Sequence, residues 1–422
     1  MNSNGQPRPL RRVVVTGLGA ITPLALNARE HWERLVKGVS GIKRISAFDA
    51  SEFPTQIAGE VKGFDPNQYM NFKEARRMAR CSQFAIAAAK EAMTDAGLLD
   101  IASEADRIGA LMGSAMGGFD MALSGMQTLR EKGWKRVSPF SLPESLANMP
   151  AHHISLHYGA KGFNNTVVTA CAAGTQAVGE AMEAIQRGRA EIMFAGGAEA
   201  ILIPECIVGF SAMRGLSTRN DEPERASRPF DKDRDGFCVS EGSAVFILEE
   251  LEHARARGAR IYCEVLGYGA SSDAYDVAAP DPVGEGAIRA MRWAIEDAGI
   301  AAEQIGYINA HGSSTPLGDA IETLAIKTLF GEKAYTIPIS STKSMCGHSF
   351  GATGAIEALS CAMTLYTQVI HPTINYETPD PQCDLDYVPN VARQAEVRYT
   401  LSNSFGLGGQ NACLVMGKFQ EY

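Results

Sequence analysis

Residues 165–174 read NTVVTACAAG, a short β-rich run that passes through small residues into a helix. Residues 340–354 read SSTKSMCGHSFGATG and show the same order of strand, small residues and helix. Aligning Cys171 with His348 gives a shift of 177 residues between the two stretches. Two copies at such a spacing predict a duplicated α/β unit with a pseudo-twofold axis.

The rest of the chain alternates short β-rich runs with longer helical stretches, which predicts α/β layers. Strands are predicted at Val13–Thr16, Arg107–Met112, Thr166–Val168, Ile192–Ala195, Ala244–Leu248, Tyr262–Leu266, Tyr307–Ala310, Pro338–Ser341 and Cys413–Met416. Helices are predicted at Arg76–Ala96, Thr175–Gln186, Gly284–Ala298, Ile321–Leu329 and Ala352–Leu365.

Composition excludes several classes of protein. The 422 residues are 45% apolar and 21% charged, as in an ordinary globular protein and unlike a disordered one. The net charge of −9 argues against nucleic-acid binding. Nine cysteines without CxxC or zinc-site spacing favour a reduced intracellular compartment and predict no metal site.

One segment imitates a secretory signal, since Arg11 and Arg12 precede VVVTGLGAI at 13–21. Two glycines in this run and Pro23 after it favour a first core strand followed by a turn. No apolar run approaches the roughly 20 residues that cross a bilayer, so we expect no membrane insertion.

Cys171 is the first candidate nucleophile. It follows a predicted strand and begins a helix, where unpaired N–H groups and the helix dipole favour a thiolate. Small residues at 172–174 leave space for a substrate. The alternative is a buried, inert cysteine.

His311 and the pair Lys343 and His348 lie in similar contexts. His311 follows a predicted strand within NAHGSSTPLGD (309–319), where a structural histidine that bonds the turn is the alternative. Lys343 and His348 precede a helix of small residues, and Glu357 could be the ion-pair partner of Lys343. A pyridoxal-phosphate lysine is disfavoured, because no acidic partner for the pyridine nitrogen can be singled out.

Residues 403–411 read NSFGLGGQN and form a glycine-rich segment. It matches neither the dinucleotide nor the P-loop fingerprint, and a strand rather than a helix follows it. We therefore predict a pocket-edge or oxyanion loop. A duplicated fold could bring this loop, Cys171, His311, Lys343 and His348 to one centre.

These motifs resemble, in order and from residue 12 to 418, those of the β-ketoacyl-[acyl-carrier-protein] synthases, the elongating condensing enzymes of type II fatty-acid synthesis. The similar segments are VVTGLG (14–19), TACAAG (169–174), STRN (217–220), RPFD (228–231), RDGF (234–237), HGSSTPLGD (311–319) and STKSMCGH (341–348).

The resemblance implies the thiolase fold, an α/β architecture in which two βαβαβαββ halves form five α-β-α-β-α layers. Residues 11–259 would be the half with Cys171, residues 260–422 the half with His311, Lys343 and His348, and residues 1–10 a flexible tail. It also implies a cytoplasmic homodimer that works with an acyl carrier protein. No cofactor is expected beyond the carrier's phosphopantetheine arm.

The implied reaction is a decarboxylative Claisen condensation. Cys171 would take the acyl chain from its carrier, and malonyl carrier protein would lose its carboxylate and attack the thioester. His311 and His348 would stabilise the enolate by N–H donation. Lys343, paired with Glu357, would order the site.

Further site residues follow from the same resemblance. The backbone N–H groups of Cys171 and Phe405 would form a second oxyanion hole, and Ser313 and Thr315 would bind the pantetheine arm. Met116 occupies the acyl-pocket position. Leu407 stands where the family usually has a gating phenylalanine, so the preferred acyl chain stays open.

A basic patch for the acidic carrier protein is expected on the otherwise acidic surface. Its predicted members are Lys73, Arg76, Arg77, Arg80, Lys135, Arg136 and Arg214. The alternative is a set of solvated cations on a helix face.

Four other functions compete. A polyketide or unusual-chain ketosynthase would use the same chemistry, whereas a thiolase would need a second catalytic cysteine and coenzyme A. An initiating ketosynthase pairs Cys and His with Asn. A non-catalytic chain-length partner would lack the nucleophile, so Cys171 argues against it.

Overall fold

The computed structural model describes residues 10–98 and 101–421, so nearly all of the predicted tail lies outside the described residues. The first half of the chain contains β1 (Val13–Ile21), α1 (Ala28–Val36), β2 (Ile42–Arg44), β3 (Ile57–Gly59), α2 (Phe72–Ala75), α3 (Arg80–Ala96), β4 (Ile108–Gly113), α4 (Phe119–Lys132), α5 (Met149–Tyr158), β5 (Asn164–Val167), α6 (Ala173–Gln186), β6 (Ile192–Glu199), α7 (Pro204–Ala212), β7 (Gly242–Glu250) and α8 (Leu251–Ala256).

The second half begins after residue 262. It contains β8 (Cys263–Ser272), α9 (Glu285–Asp297), β9 (Tyr307–Asn309), α10 (Pro316–Phe330), β10 (Ile339–Ser340), α11 (Lys343–Cys346), α12 (Thr353–Thr367), β11 (Val369–Ile370), β12 (Arg393–Gln394), β13 (Tyr399–Gly406) and β14 (Gln410–Gly417). The assignment of residues 11–259 and 260–422 to separate domains stays a prediction.

The two halves have the same topology. Their strand orders are β1-β7-β6-β4-β5 and β8-β14-β13-β9-β10, so each half places its first, fifth, fourth, second and third strands side by side. In each half the second strand runs parallel to the third and fourth, and the fifth is antiparallel to both its neighbours. β1 and β8 pair over three residues and join the halves into one ten-stranded sheet. The predicted βαβαβαββ duplication is confirmed.

The helices form three layers around these strands. α6 and α12 pack against each other in the centre and contact strands of both halves. α3 and α5 cover the outer face of the first half, and α9 and α10 cover that of the second. The central helices are rich in small residues because they must approach closely: a Cβ on Gly174 would lie 2.7 Å from the backbone nitrogen of Ala355. The predicted five-layered thiolase fold is thus confirmed.

The repeat has a different register from the one predicted. Turns of 3-10 helix at Ala170–Ala172 and Phe350–Ala352 lie immediately before α6 and α12. These equivalent turns are 180 residues apart, so Gly351 rather than His348 corresponds to Cys171. His348 lies three residues earlier, in the connection that leads to α12.

One predicted helix was wrong, and one strand was missed. The helix predicted at Arg76–Ala96 is broken, because Ala79 has an extended backbone and α3 begins only at Arg80. The glycine-rich segment is a β-hairpin: β13, which was not predicted, pairs with β14 across a turn in which Gly408 and Gly409 have φ of 78° and 69°. Its polar sequence YTLSNSFG hid a strand whose serines are buried.

All nine cysteines are buried and free of disulfide bonds. Within residues 10–98 and 101–421, every helix is too short or too polar to cross a lipid bilayer.

Candidate active site

Cys171 and His348 are brought together by the central helices. Cys171 lies in the turn before α6, and its sulfur is 3.0 Å from Nε2 of His348. The 3-10 turns that precede α6 and α12 each contain a non-glycine residue with positive φ, Ala170 at 49° in the first and Phe350 at 43° in the second. Such strained backbone is typical of functional sites, because surrounding contacts must hold it in place.

The ring of His348 is fixed on several sides. Phe350 stacks on it at a centroid distance of 4.8 Å, and Phe237 meets it edge-on at 5.5 Å. Its Nδ1 atom lies 2.9 Å from the hydroxyl oxygen of Thr353. Burial and the nearby Lys343 ammonium lower the pKa of His348 well below its usual value, so the imidazole is neutral at pH 7.

Lys343 determines the tautomer of His311. Its buried ammonium is paired with Glu357, as expected, and donates to the backbone oxygen of His311 at 2.5 Å. It also lies 3.4 Å from Nδ1 of His311. An ammonium can only donate, so Nδ1 carries the lone pair and Nε2 carries the hydrogen. Burial, then Lys343, lowers the pKa of His311 well below its usual value.

Glu322 on α10 anchors the turn that presents His311. Its buried carboxylate accepts hydrogen bonds from the N–H groups of His311 at 2.8 Å and Gly312 at 2.7 Å. The Asn403 side chain donates to the same carboxylate at 3.1 Å. Sequence reasoning missed Glu322, although an acidic residue among the apolar residues of this helix was a usable signal.

Glu199 at the end of β6 links two loops near Cys171. It accepts hydrogen bonds from the N–H groups of Ala115 at 2.5 Å, Met116 at 3.3 Å and Gly351 at 3.1 Å. Burial raises the pKa of Glu199 to about 7, against the lowering effect of these donors. The sequence analysis did not identify this residue either.

The thiolate expected at Cys171 is not favoured. Burial raises the pKa of the Cys171 thiol to about 11, although Lys343 and the N–H of Leu407 lower it. Resting Cys171 is therefore a thiol next to a neutral imidazole. The arrangement allows a proton to pass from the sulfur to Nε2 of His348, as a nucleophilic attack by this thiol would require.

A cavity of about 440 Å³ opens onto these side chains. Its lining includes Cys171, His311, His348, Ser313, Thr315, Arg214, Phe210, Phe237, Phe350, Phe405 and Leu407. The hydroxyls of Ser313 and Thr315 lie 3.0 Å apart, so two predicted pantetheine contacts share one wall. Lys343 and Glu357 are buried behind the histidines.

Phe405, Leu407 and Met116, which were predicted to form the oxyanion hole, the gate and the acyl pocket, have different surroundings in the structure. The ring of Phe405 lies 5.8 Å from that of His311, and the backbone N–H groups of Leu407 and of Cys171 itself bond the Cys171 sulfur. The oxyanion hole expected from the N–H groups of Cys171 and Phe405 stays a prediction. The Leu407 side chain is 38% exposed at the cavity. Met116 is not in the cavity lining but packs in the apolar cluster that contains Cys171.

The predicted carrier patch is divided. Lys73, Arg76, Arg77, Lys135 and Arg136 are exposed on the surface around α2 and α4, and the Arg77 guanidinium lies 4.8 Å from the centre of the Phe140 ring. Arg80 instead bonds the buried Glu241 carboxylate at 2.8 and 2.9 Å, which gives it a structural role. Arg214 is exposed and lines the cavity.

In the part of the chain that the structure describes, no group of three His, Cys, Asp or Glu side chains could hold a metal ion.

Comparison with known proteins identifies relatives along the chain. The model of the β-ketoacyl synthase N-terminal domain matches residues 10–254, and that of the C-terminal domain matches residues 262–377. A protein of Synechocystis sp. named 3-oxoacyl-[acyl-carrier-protein] synthase 2 is 50% identical over 410 residues, which cover 97% of this chain and 99% of the relative. A protein of the same name from Staphylococcus aureus is 48% identical with the same coverage.

Solved structures are also similar. A β-ketoacyl synthase from Burkholderia phymatum superposes with a TM-score of 0.91 at 36% identity, covering 97% of this chain and all of that one. A ketosynthase bound to a hexaketide and in complex with its type II polyketide acyl-carrier protein superposes at 0.89 and 36% identity, covering 98% of this chain and all of that one.

Proposed function

Since the chain belongs to the β-ketoacyl synthase family, we propose that it condenses malonyl-[acyl-carrier-protein] with an acyl chain held on Cys171. The products are a β-ketoacyl-[acyl-carrier-protein] two carbons longer and carbon dioxide, in fatty-acid elongation. The observation that carries the proposal is the 3.0 Å contact between the Cys171 sulfur and Nε2 of His348, next to the neutral His311.

Acyl transfer to Cys171 comes first. His348 takes the thiol proton at Nε2 while the sulfur attacks the thioester carbonyl of the acyl carrier. The N–H of Leu407 bonds the sulfur, and the start of α6 stabilises negative charge there. When the intermediate collapses, the proton passes from Nε2 to the departing pantetheine sulfur.

Decarboxylation of the malonyl group then needs hydrogen-bond donors to its thioester oxygen rather than a general base. Loss of carbon dioxide builds negative charge on the thioester oxygen of the malonyl group. His311 donates from Nε2, because Lys343 holds its Nδ1 as an acceptor. One such preorganised donor contributes about 3–4 kcal/mol to transition-state stabilisation. The enolate carbon attacks the Cys171 thioester, and the thiolate that leaves takes up one proton from solvent, which restores the resting thiol.

The apolar environment of the site suits this chemistry. Phe210, Phe237, Phe350 and Phe405 line the cavity beside the histidines. They exclude water, which would hydrolyse the thioester or protonate the enolate before condensation.

The partners are an acyl carrier protein and a second copy of this chain. The exposed cations around Arg77 and the cavity residue Arg214 support a carrier that brings its acidic surface to this side. The outer edge of β5 ends the ten-stranded sheet, and Val168 beside it is 56% exposed. An open strand edge of this kind suits pairing in a homodimer.

We assign the enzyme to the synthase II type because relatives of that name share 48–50% of its residues. Nine free cysteines support a reducing, cytoplasmic location. A polyketide substrate is the second candidate, favoured by Leu407 at the cavity in place of a bulkier aromatic residue.

The test is a reconstituted condensation followed by mass spectrometry of the carrier protein. We expect straight acyl carriers to gain two carbons and a keto group, and Cys171→Ala to abolish this gain while Cys346→Ala retains it. Efficient extension of β-ketoacyl carriers, together with no extension of saturated acyl carriers, would favour the polyketide pathway. Condensation that survives in Cys171→Ala would contradict the proposal.

A further inference from the structure

Two buried hydroxyls lie behind the catalytic face of His348. Thr353, the first residue of α12, has its hydroxyl oxygen 2.9 Å from Nδ1 of the ring. The Ser349 hydroxyl lies 3.1 Å from that of Thr353. The three side chains are no more than 3% exposed, so these contacts are shielded from competing water.

A hydroxyl here matters because His348 needs opposite partners at different stages. When it holds the Cys171 proton, both ring nitrogens carry hydrogen and Nδ1–H needs an acceptor. When it donates from Nε2 as a neutral ring, Nδ1 needs a donor. A backbone N–H or carbonyl could serve only one stage, whereas a hydroxyl can do both by rotation.

We propose that Thr353 is a positioning residue that lets His348 act as a base in acyl loading and as a donor in decarboxylation. This rests on the proposed function of His348. In loading, Nδ1–H donates to Thr353, whose own hydrogen turns to Ser349. In decarboxylation, Ser349 O–H donates to Thr353, and Thr353 O–H donates to Nδ1.

The protons balance at each step. During loading the S–H bond of Cys171 breaks and an Nε2–H bond forms, and that proton then leaves on the pantetheine sulfur. The ring is again neutral with hydrogen on Nδ1. Between the two substrates, while the cavity is open to solvent, Nε2 takes one proton from water, and the imidazolium then releases its Nδ1 proton to solvent through the hydroxyls of Thr353 and Ser349.

The charged and titratable groups around His348 come from several elements. Cys171 lies in the turn before α6, Lys343 in α11 and His311 after β9. Glu199 at the end of β6 raises the pKa of the Cys171 thiol. The aromatic neighbours Phe350 and Phe237 carry no charge. Removing the Thr353 hydroxyl leaves all these groups in place, so its effect can be isolated.

The matched control lies on the same helix. The Thr364 hydroxyl is buried and has no hydrogen-bond partner among the described residues. Thr364→Val therefore makes the same chemical change within α12 without touching His348.

The experiment compares Thr353→Val, Thr353→Ser and Thr364→Val. The first readout is the pH dependence of Cys171 alkylation by iodoacetamide, followed by peptide mass spectrometry without substrate. In Thr353→Val the imidazolium that forms as the sulfur attacks loses its acceptor. At any pH below the Cys171 pKa of about 11 we therefore expect alkylation to be about tenfold slower, which displaces the pH profile by about one unit toward higher pH. Thr353→Ser should restore the profile, and Thr364→Val should match the unaltered protein.

The second readout is the rate of each half-reaction. Loss of a buried hydrogen bond to a charged group should lower kcat in Thr353→Val by about tenfold to a hundredfold, with KM unchanged. Ser349→Ala should change both readouts in the same direction and serves if Thr353→Val does not fold. An unshifted alkylation profile, or no rescue by serine, would overturn the proposal. Absence of condensation in the unaltered protein would refute the proposed function instead, because alkylation needs no substrate.

Discussion

Replacing Lys343 by methionine separates its effect on stability from its effect on chemistry. The ammonium is 1% exposed and is paired with Glu357, which is also 1% exposed at its side chain. Removing one partner of a buried pair leaves an uncompensated charge, so we expect Lys343→Met to lower the free energy of unfolding by about 3–5 kcal/mol. Urea titration followed by circular dichroism measures this loss.

The double variant Lys343→Met, Glu357→Leu distinguishes the two roles. Replacing both partners by apolar residues removes the buried charge, so we expect most of the lost stability to return. Decarboxylation should not return, because Nδ1 of His311 loses the ammonium that fixes its tautomer. Loss of that donor should lower the rate of carbon dioxide release about a hundredfold or more in both variants.

A surface pair provides the control. Arg187, the residue that follows α6, forms an ion pair with Glu183 near the end of that helix, and the two side chains are 57% and 35% exposed. Arg187→Met should cost at most about 1 kcal/mol and leave decarboxylation unchanged. Recovery of both stability and decarboxylation in the double variant would refute the role of Lys343 in setting the His311 tautomer.

Three further perturbations test other parts of the site. Leu407→Phe should narrow the cavity and reduce the rate with branched acyl carriers more than with straight ones; an identical substrate profile would exclude Leu407 as a gate. Reversing Arg76 and Arg77 to Glu should raise KM for carrier-bound substrates about tenfold and spare small thioester mimics, and the effect should shrink as salt rises; equal effects on both substrates would indicate a folding defect. Glu199 keeps its proton in the folded protein up to pH about 7, but loses it near 4.5 when unfolded. Its stabilising contribution is therefore complete below pH 4.5 and is lost as pH rises through 7. Between these pH values the free energy of unfolding of the unaltered protein should fall by roughly 3 kcal/mol relative to that of Glu199→Gln. A difference between the two proteins that stays constant with pH would contradict the raised pKa.

Local patterns predicted most of the framework. Hydrophobic runs with flanking glycines located β1, β4, β6 and β7, and small residues after two strands located α6 and α12. The duplication was visible in sequence because both central helices face the same packing constraint. Its register was three residues off, because the strand-to-helix connections differ around His348.

What sequence reasoning missed depends on contacts between distant residues. Glu199, Glu322 and Thr353 are buried polar residues whose roles follow from N–H groups or ring nitrogens that other elements supply. β13 was missed because its serines and threonine are buried in a polar interior, which removes the usual alternation. The thiolate at Cys171 was predicted from the helix dipole alone, and burial outweighs that effect.

The resemblance to β-ketoacyl synthases identified side chains better than backbone groups. It named Cys171, His311, Lys343 and His348, which the structure brings around one cavity and its inner wall. It assigned an oxyanion N–H to Phe405, which stays a prediction, and it did not anticipate that the N–H of Leu407 bonds the Cys171 sulfur. Backbone direction in a hairpin turn follows from glycine conformations that a motif does not specify.

The most direct test of the central claim is peptide mass spectrometry across a single turnover. The protein is incubated with acyl carrier protein, digested and analysed, and a parallel sample receives malonyl carrier protein before digestion. We expect one acyl adduct, on the peptide with Cys171, and its complete loss after malonyl addition, with carbon dioxide and an elongated β-ketoacyl carrier formed in equal amounts. An adduct on Cys346, or a Cys171 adduct that malonyl carrier protein does not remove, would contradict the account.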